Sequence, residues 1–263
     1  MRTLRNSLVC SILALQVLAL NVPSAVAAQS ANSPCPINTG LDPACPLTAV
    51  GISDSTTALT QTATQHETIL FGSWEMNGDR ELRVTMPVYE HLGIAGVGDA
   101  FGTGDAAVGY TQAFGGTKRL TQVAGLSVSF ATGATNFSAG STQLTPLYAL
   151  SYALGDRISL ITIGQYSFCA GGTKLPFAPR TQDLVIIPRA VIDLSRSGLY
   201  TALELRGSDI TGEERYQAYQ SGISLGIVHR HLNLAATYGV PIDRFTREDE
   251  FYHEFGVRIS WQR

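Results

Sequence analysis

The sequence predicts an all-β protein, an antiparallel up-and-down transmembrane β-barrel of about twelve strands, with ten as the alternative. Three observations predict it. Apolar and non-apolar residues alternate with period two from about His66 to the last residue, the pattern of strands with two different faces. Several of these stretches run ten to thirteen residues, beyond the soluble mode of ~5–6 and matching the ~9–11 that a membrane strand needs. The non-apolar faces are built from Gly, Ser, Ala and Thr, which suit a narrow lumen better than a water-exposed sandwich face.

The start of the chain reads as an export signal over residues 1–28. Arg2 and Arg5 form a basic start, Leu8 to Leu20 is an apolar run, and Ala25-Val26-Ala27 offers small-residue cleavage with Ala27 or Ala28 last to be removed. The run is too short to anchor the chain across a bilayer. Cys10 lies too early, and after Ser7-Leu8-Val9, to be a lipoprotein cysteine. Removal of the signal leaves about 235 residues, a size one all-β domain can reach.

Composition narrows the partners. Loss of Arg2 and Arg5 takes 18 basic residues to 16 against 21 acidic ones, a net charge near −5. No basic stripe is left for a nucleic-acid partner. Charged residues make up 15% of the chain and 26 of its 263 residues are Gly, fewer charges than a soluble domain carries. Outer-membrane lipid, the outer-membrane assembly machinery and a small-molecule solute are the partners expected, with no cofactor.

Residues 29–65 are rich in Ser, Thr, Ala, Pro and Asn without sustained periodicity. They read as a flexible periplasmic segment that holds, at most, a first strand within 47–60. Cys35 and Cys45 bracket a turn-rich loop and are a disulfide candidate in an oxidising compartment; Cys169 reads as a small apolar residue.

From 66 to 263 the barrel wall follows strand by strand. Leu82, Val84, Met86 and Val88 share one apolar face, and Leu144 to Leu154 alternate likewise. Leu199, Thr201, Leu203 and Leu205 oppose Tyr200, Ala202, Glu204 and Arg206. Tyr219, Ile223, Leu225 and Ile227 form another apolar face, Leu232 to Ile242 another, and Phe251, Phe255, Val257, Ile259 and Trp261 the last, with His253 the exception. The stretches 157–169 and 182–195 are apolar on both faces, which leaves their register open. Tight turns at 77–79, 115–118, 155–157, 196–198 and 229–231 alternate with longer connections near 90–103, 132–142, 170–181, 207–215 and 243–249, as periplasmic turns and external loops do. Eleven strands can be counted from His66; a periplasmic C-terminus then requires an earlier strand going up, which makes twelve.

The glycine-rich segment Gly93 to Asp105 is not a dinucleotide loop, because Ala106–Phe114 alternates as a strand where a helix would be needed. One imperfect glycine–aspartate repeat is weak evidence for calcium, and the segment reads as a mobile external loop. Gly104-Asp105-Ala106-Ala107-Val108-Gly109-Tyr110, downstream of Met86-Pro87-Val88, resembles the Gly-Asp-plus-strand signature of the outer-membrane family named for the meta-pathway of phenol degradation. Phe130-Ala131-Thr132-Gly133-Ala134 resembles that family's Pro-Thr-Gly strand end, with Ala131 in the usual Pro position. Gly140 to Pro146 resembles its return strand. The resemblance spans about residues 80–263 and implies a channel or transporter for small, often aromatic or hydrophobic, molecules. Outer-membrane chains commonly end on an aromatic residue, whereas Trp261 is followed here by Gln262-Arg263.

Enzymatic readings fare less well. None of His66, His91, His229, His231 and His253 sits in a His-x-Ser-Asn-type stretch. His229 and His231 fall on one strand face by spacing but lack a third metal ligand. Alternation instead turns six charged residues inward: Arg83, Arg189, Glu204, Arg206, Glu254 and Arg258. A charge facing lipid costs a few kcal/mol near the midplane, so inward placement is favoured. Two roles remain open for these six lumen-lining candidates: bracing a narrow wall in pairs, or lining a permeation path.

Overall fold

The computed structural model describes residues 39–263 except 61, 117–118, 173–180, 196, 213–214 and 248–250. The expected signal (1–28) and Cys35 lie outside the described residues. The strands are β1 (Ala49–Thr60), β2 (Ala63–Met76), β3 (Arg80–Ile94), β4 (Gly98–Gly102), β5 (Ala107–Gly116), β6 (Leu120–Ser129) and β7 (Ser141–Ala153). They continue with β8 (Ile158–Gly172), β9 (Thr181–Asp193), β10 (Leu199–Gly212), β11 (Tyr216–His229), β12 (Leu232–Pro241) and β13 (His253–Gln262). Each wall strand pairs antiparallel with its sequence neighbours, β1 pairs with β13, and β2 pairs with both β1 and β3. The sheet closes on itself with twelve wall strands, while the short β4 folds back on the external end of β3.

Alternation gives the wall its two faces. Ile52, Leu70, Met86, Leu160, Leu225 and Val257 stand exposed on the outside, and their inward neighbours are mostly small or polar. Trp74, Tyr152 and Trp261 lie outward near the periplasmic rim, and Tyr166 and Tyr219 near the external rim, the aromatic girdles of a membrane barrel. No helix among the described residues is long and apolar enough to cross a membrane. The turns at 77–79 and 230–231 are tight. Asn77 and Gly78 take positive φ (60° and 76°) between β2 and β3, and Arg230 does so (54°) between β11 and β12.

The earlier strand expected within 47–60 is β1, and the next, β2, begins at Ala63 where 66 was expected. Three further expectations are corrected. Residues 39–47 are not a periplasmic arm: Thr39, Asp42, Ala44, Cys45 and Leu47 are buried against inward-facing side chains. The segment 93–105 is not a simple mobile loop, since β3 and β4 form a hairpin through it. Finally, the apolar face of β3 does not run on to Val88. A bulge lies there, because Thr68 pairs with Tyr89 while the next residue, Ile69, pairs with Pro87. An extra residue in one strand reverses the parity beyond it, so Tyr89 faces out and Glu90 faces in.

The seam between β3 and β5 has six paired positions, fewer than any other seam of the wall. Beyond Thr85 and Ala107, the 102–106 crossing covers the gap, with the Gly104 N–H donating to the Pro87 carbonyl at 3.2 Å.

Candidate functional site

The site is the lumen, and residues 39–47 dock in its periplasmic half. An extended segment inside a barrel must find partners for its backbone groups, and the wall supplies them. Asn233 Nδ2 donates to the Thr39 carbonyl (3.1 Å), Arg189 Nη1 to the Leu41 carbonyl (2.6 Å) and Ser73 Oγ to the Leu47 carbonyl (2.6 Å). The Leu47 N–H in turn donates to Glu81 Oε2 at 3.0 Å. Asp42 accepts from Ser151 Oγ (2.6 Å) and from the Ala44 N–H (2.9 Å). Burial raises the Asp42 carboxyl above its ordinary range, against the opposing pull of Ser151, the Ala44 N–H and Arg189.

Ala44 sits in an apolar cluster with Val123, Ala149, Ile161, Val185 and Ile187, and Leu41 packs against it. That cluster explains why 157–169 and 182–195 are apolar on both faces: the inner face packs on the docked segment and the outer face meets lipid. The Asn233 amide that holds Thr39 is itself positioned by a wall residue. Tyr200 lies across Gly226, where a Cβ would fall 2.5 Å from its hydroxyl, and donates to Asn233 Oδ1 at 3.1 Å.

All six sequence-selected charged residues lie on the inner face by register. The structure joins some of them and not others. Arg189 Nε donates to Glu204 Oε2 at 2.8 Å, and Nη2 contacts the same oxygen. Arg83 binds a residue the sequence reading passed over, Glu81, at 2.7 and 3.0 Å. Arg258 stacks over the Phe71 ring, 4.3 Å from its centroid, with Gly40 of the docked segment against it. Arg206 lies within electrostatic reach of Asp183 and Glu254.

With Glu81, three further acids, Glu67, Glu90 and Asp183, face inward without having been singled out by the sequence. Glu67, Glu81 and Asp183 share the parity of inward neighbours such as Arg83 and Arg189, so alternation alone would have found them. Glu90 has no such signal, because the Val88 bulge hides it.

The external end is closed over in part. Leu59, Ala63 and Phe251 form a buried apolar cluster joined by Leu92 and Ile94. Asp105, 3% exposed, accepts from the N–H groups of Gly133 (2.8 Å) and Ala139 (2.9 Å), tying the β4–β5 crossing to the 130–140 loop.

The histidines sit on the outer face or at turns. His66 Nε2 lies 2.9 Å from Asp54 Oδ1, and His91 stacks on Phe101 at 4.4 Å. His253 faces outward beside Tyr238. His229 ends β11, whereas His231 lies in the turn and stacks on Trp261, so the two do not share a strand face as spacing predicted. Among the described residues no three His, Cys, Asp or Glu side chains are placed to hold a metal ion. Cys45 is buried, and Cys169 faces inward and accepts from Ser141 Oγ at 3.4 Å.

No protein-family model and no curated protein matches the chain. Solved structures do. An outer-membrane channel from Pseudomonas putida F1 superposes with a TM-score of 0.67 at 11% identity, over 83% of this chain and 96% of that one. The NanC porin gives 0.61 at 11% identity, over 81% and 98% of the two chains. The KdgM porin gives 0.56 at 8% identity, over 81% and 98%. At these identities the likeness is one of fold. The protein is a closed antiparallel barrel of the Gram-negative outer-membrane type, and its apolar exterior places it in that membrane.

Proposed function

We propose that this barrel is a passive channel or uptake pore for small molecules of apolar or aromatic character. The observation that carries the reading is the asymmetry of the lumen. Inner residues of β6–β9 such as Val123, Ala149 and Val185 are packed away, whereas Ser53, Ser55, Glu67, Phe71 and Thr85 on β1–β3 keep part of their surface open. A packed side opposite an open one describes a narrow path, with mixed apolar and polar lining. The channel and porin folds it resembles support transport, and the Gly104-Asp105 signature supports an aromatic or hydrophobic solute. Export by a signal over 1–28, delivery to the outer-membrane assembly machinery and a Cys35–Cys45 disulfide belong to the same reading. No chemistry is assigned to the lumen.

A second reading, a structural or surface-interaction barrel with an occluded lumen, is favoured by one observation: residues 39–47 dock across the periplasmic half through five anchoring side chains. Planar-bilayer recording of the purified full chain, with flux of phenol and toluene into protein-loaded vesicles, separates the two. Conductance steps with solute entry support the channel. Silence at every salt and voltage, with no solute entry, leaves the occluded barrel.

A further inference from the structure

We infer that Arg189 and Arg258 form an anion site in the periplasmic half of the lumen, covered in the docked state by residues 39–41, and that solutes with a carboxylate on an aromatic body displace those residues. The inference rests on the channel reading and deepens it, naming the charge of the solute and the step that opens its path.

Three consecutive residues of the docked segment trace the site. The Thr39 carbonyl lies on Asn233 Nδ2, Gly40 lies against Arg258, and the Leu41 carbonyl lies on Arg189 Nη1. Arg189 turns Nε and Nη2 to Glu204, which leaves Nη1 for the segment. A neutral carbonyl occupies that donor at 2.6 Å. A carboxylate oxygen adds the attraction of opposite charges to the same bond, and the planar guanidinium fork suits its geometry.

Arg258, on another strand, is an independent observation. It faces inward opposite Ser53 and Ala235, and it has no hydrogen bond or ion pair with any described residue. Its Nε is buried without an acceptor. Phe71 covers one face of the guanidinium, 4.3 Å from the ring centroid, and a Cβ at Gly40 would fall 3.3 Å from Nη2. Arg83, Arg189, Glu81 and Tyr200 lie within its electrostatic reach. Of these, Arg83 is paired with Glu81, and Arg189 with Glu204. Arg258 is therefore the positive charge left over at this level. The segment does not meet it: its one acid, Asp42, reaches Arg189 electrostatically but bonds to Ser151 and the Ala44 N–H. A desolvated charge without a counter-charge is costly, and an anion relieves that cost.

The site is approachable and its occupant has a template. Ser53 opposite Arg258 and Phe71 beneath it belong to the open side of the lumen, so a solute can reach the guanidinium while the segment is docked. Leu41 shows the body that fits. Its carbonyl sits on Arg189, and its side chain packs on the apolar cluster that includes Val123, Ala149, Ile161 and Val185. An apolar group one short link from an oxygen acceptor is the outline of an aromatic carboxylate. A ring in place of the Leu41 side chain, with a carboxylate in place of its carbonyl, keeps both contacts and supplies the charge that Arg258 lacks.

The test is isothermal titration of the full chain in detergent with phenylacetate, 2-phenylethanol and 2-phenylethylammonium. Phenylacetate should bind about tenfold or more tightly than either of the others. Arg258→Met should remove about tenfold of that preference and leave 2-phenylethanol unchanged; Arg157→Met, in the turn between β7 and β8, serves as control. Asn233→Ala frees the Thr39 carbonyl. It should tighten phenylacetate about threefold to tenfold, because solute and segment compete. Should Arg258→Met fail to fold, hydrogen exchange of the wild-type chain carries the test: phenylacetate should speed exchange of the residue 39–47 amides about tenfold, and 2-phenylethanol should not. Equal binding of the three probes, a preference that survives Arg258→Met, phenylacetate binding indifferent to Asn233→Ala, or exchange that ignores phenylacetate overturns the site. Vesicle flux with the same probes keeps the two ideas apart: charge-selective binding without entry refutes the channel and leaves the site, and entry without charge preference does the reverse.

Discussion

Replacing Arg189 by Met tests whether the docked segment closes the lumen. Arg189 has two duties: it pairs with Glu204, and it donates from Nη1 to the Leu41 carbonyl at 2.6 Å. Its side chain is 14% exposed and that of Glu204 27%. Removing one partner of a fully buried pair costs about 3–5 kcal/mol; the water that reaches Glu204 brings the expected loss of global stability to the lower end of that range. The bond to Leu41 is separate. A hydrogen bond from a charged donor contributes about 1.5–3 kcal/mol, so its loss raises the undocked fraction of residues 39–47 about 10–150-fold. Glu204→Gln weakens the pair but leaves the tether to Leu41. Both variants should lower the urea midpoint of refolding into vesicles, whereas only Arg189→Met should multiply opening events in single-channel records. Equal opening frequencies in Arg189→Met and Glu204→Gln would refute the docked segment as the closing element.

Three shorter predictions use other parts of the wall. Burial raises the Asp42 carboxyl in the docked segment, so its protonated form favours docking. Docking should therefore be strongest below the ordinary carboxylate range and weaken as pH rises through the raised value; Asp42→Asn should flatten that dependence, read as opening frequency against pH. Leu225→Arg, on the lipid face of β11, should cost about 2–4 kcal/mol in vesicle refolding titrations, and a cost near zero would mean that this face is not lipid-exposed. Gly198→Ala should cost about 1–3 kcal/mol in the same assay, because φ is 87° there and a Cβ would strike the Val228 carbonyl.

Alternation made most of the wall legible, because a strand between lipid and lumen must change chemistry every residue. It failed where that premise failed. Ile161, Ile163, Val185 and Ile187 are apolar on the inner face because the docked segment, not water, lies beside them. At Val88 one extra residue reverses parity, and no side-chain pattern announces a bulge, so Glu90 stayed out of view while Arg83 did not. Residues 39–47 were illegible for a different reason. They are held largely through backbone groups of Thr39, Leu41 and Leu47, and a backbone bond leaves no mark on composition or periodicity. Twelve strands, by contrast, followed from the parity of short and long connections.

The sequence left open whether the inward charges brace the wall or line a path, and the pairs of the periplasmic half show why bracing is needed there. A peptide segment inside a narrow lumen loses water from its carbonyls, and an unmet buried carbonyl is costly. The periplasmic half therefore needs donors, and Arg189 with Asn233 and Ser73 provides them. A buried arginine needs an acid in turn, which places Glu204 beside it and Glu81 beside Arg83. Above the docked segment Glu67 faces Glu90 across β2 and β3. Arg206 lies within electrostatic reach of Asp183 and Glu254 there, so opposite charges meet across the wall in the external half as well.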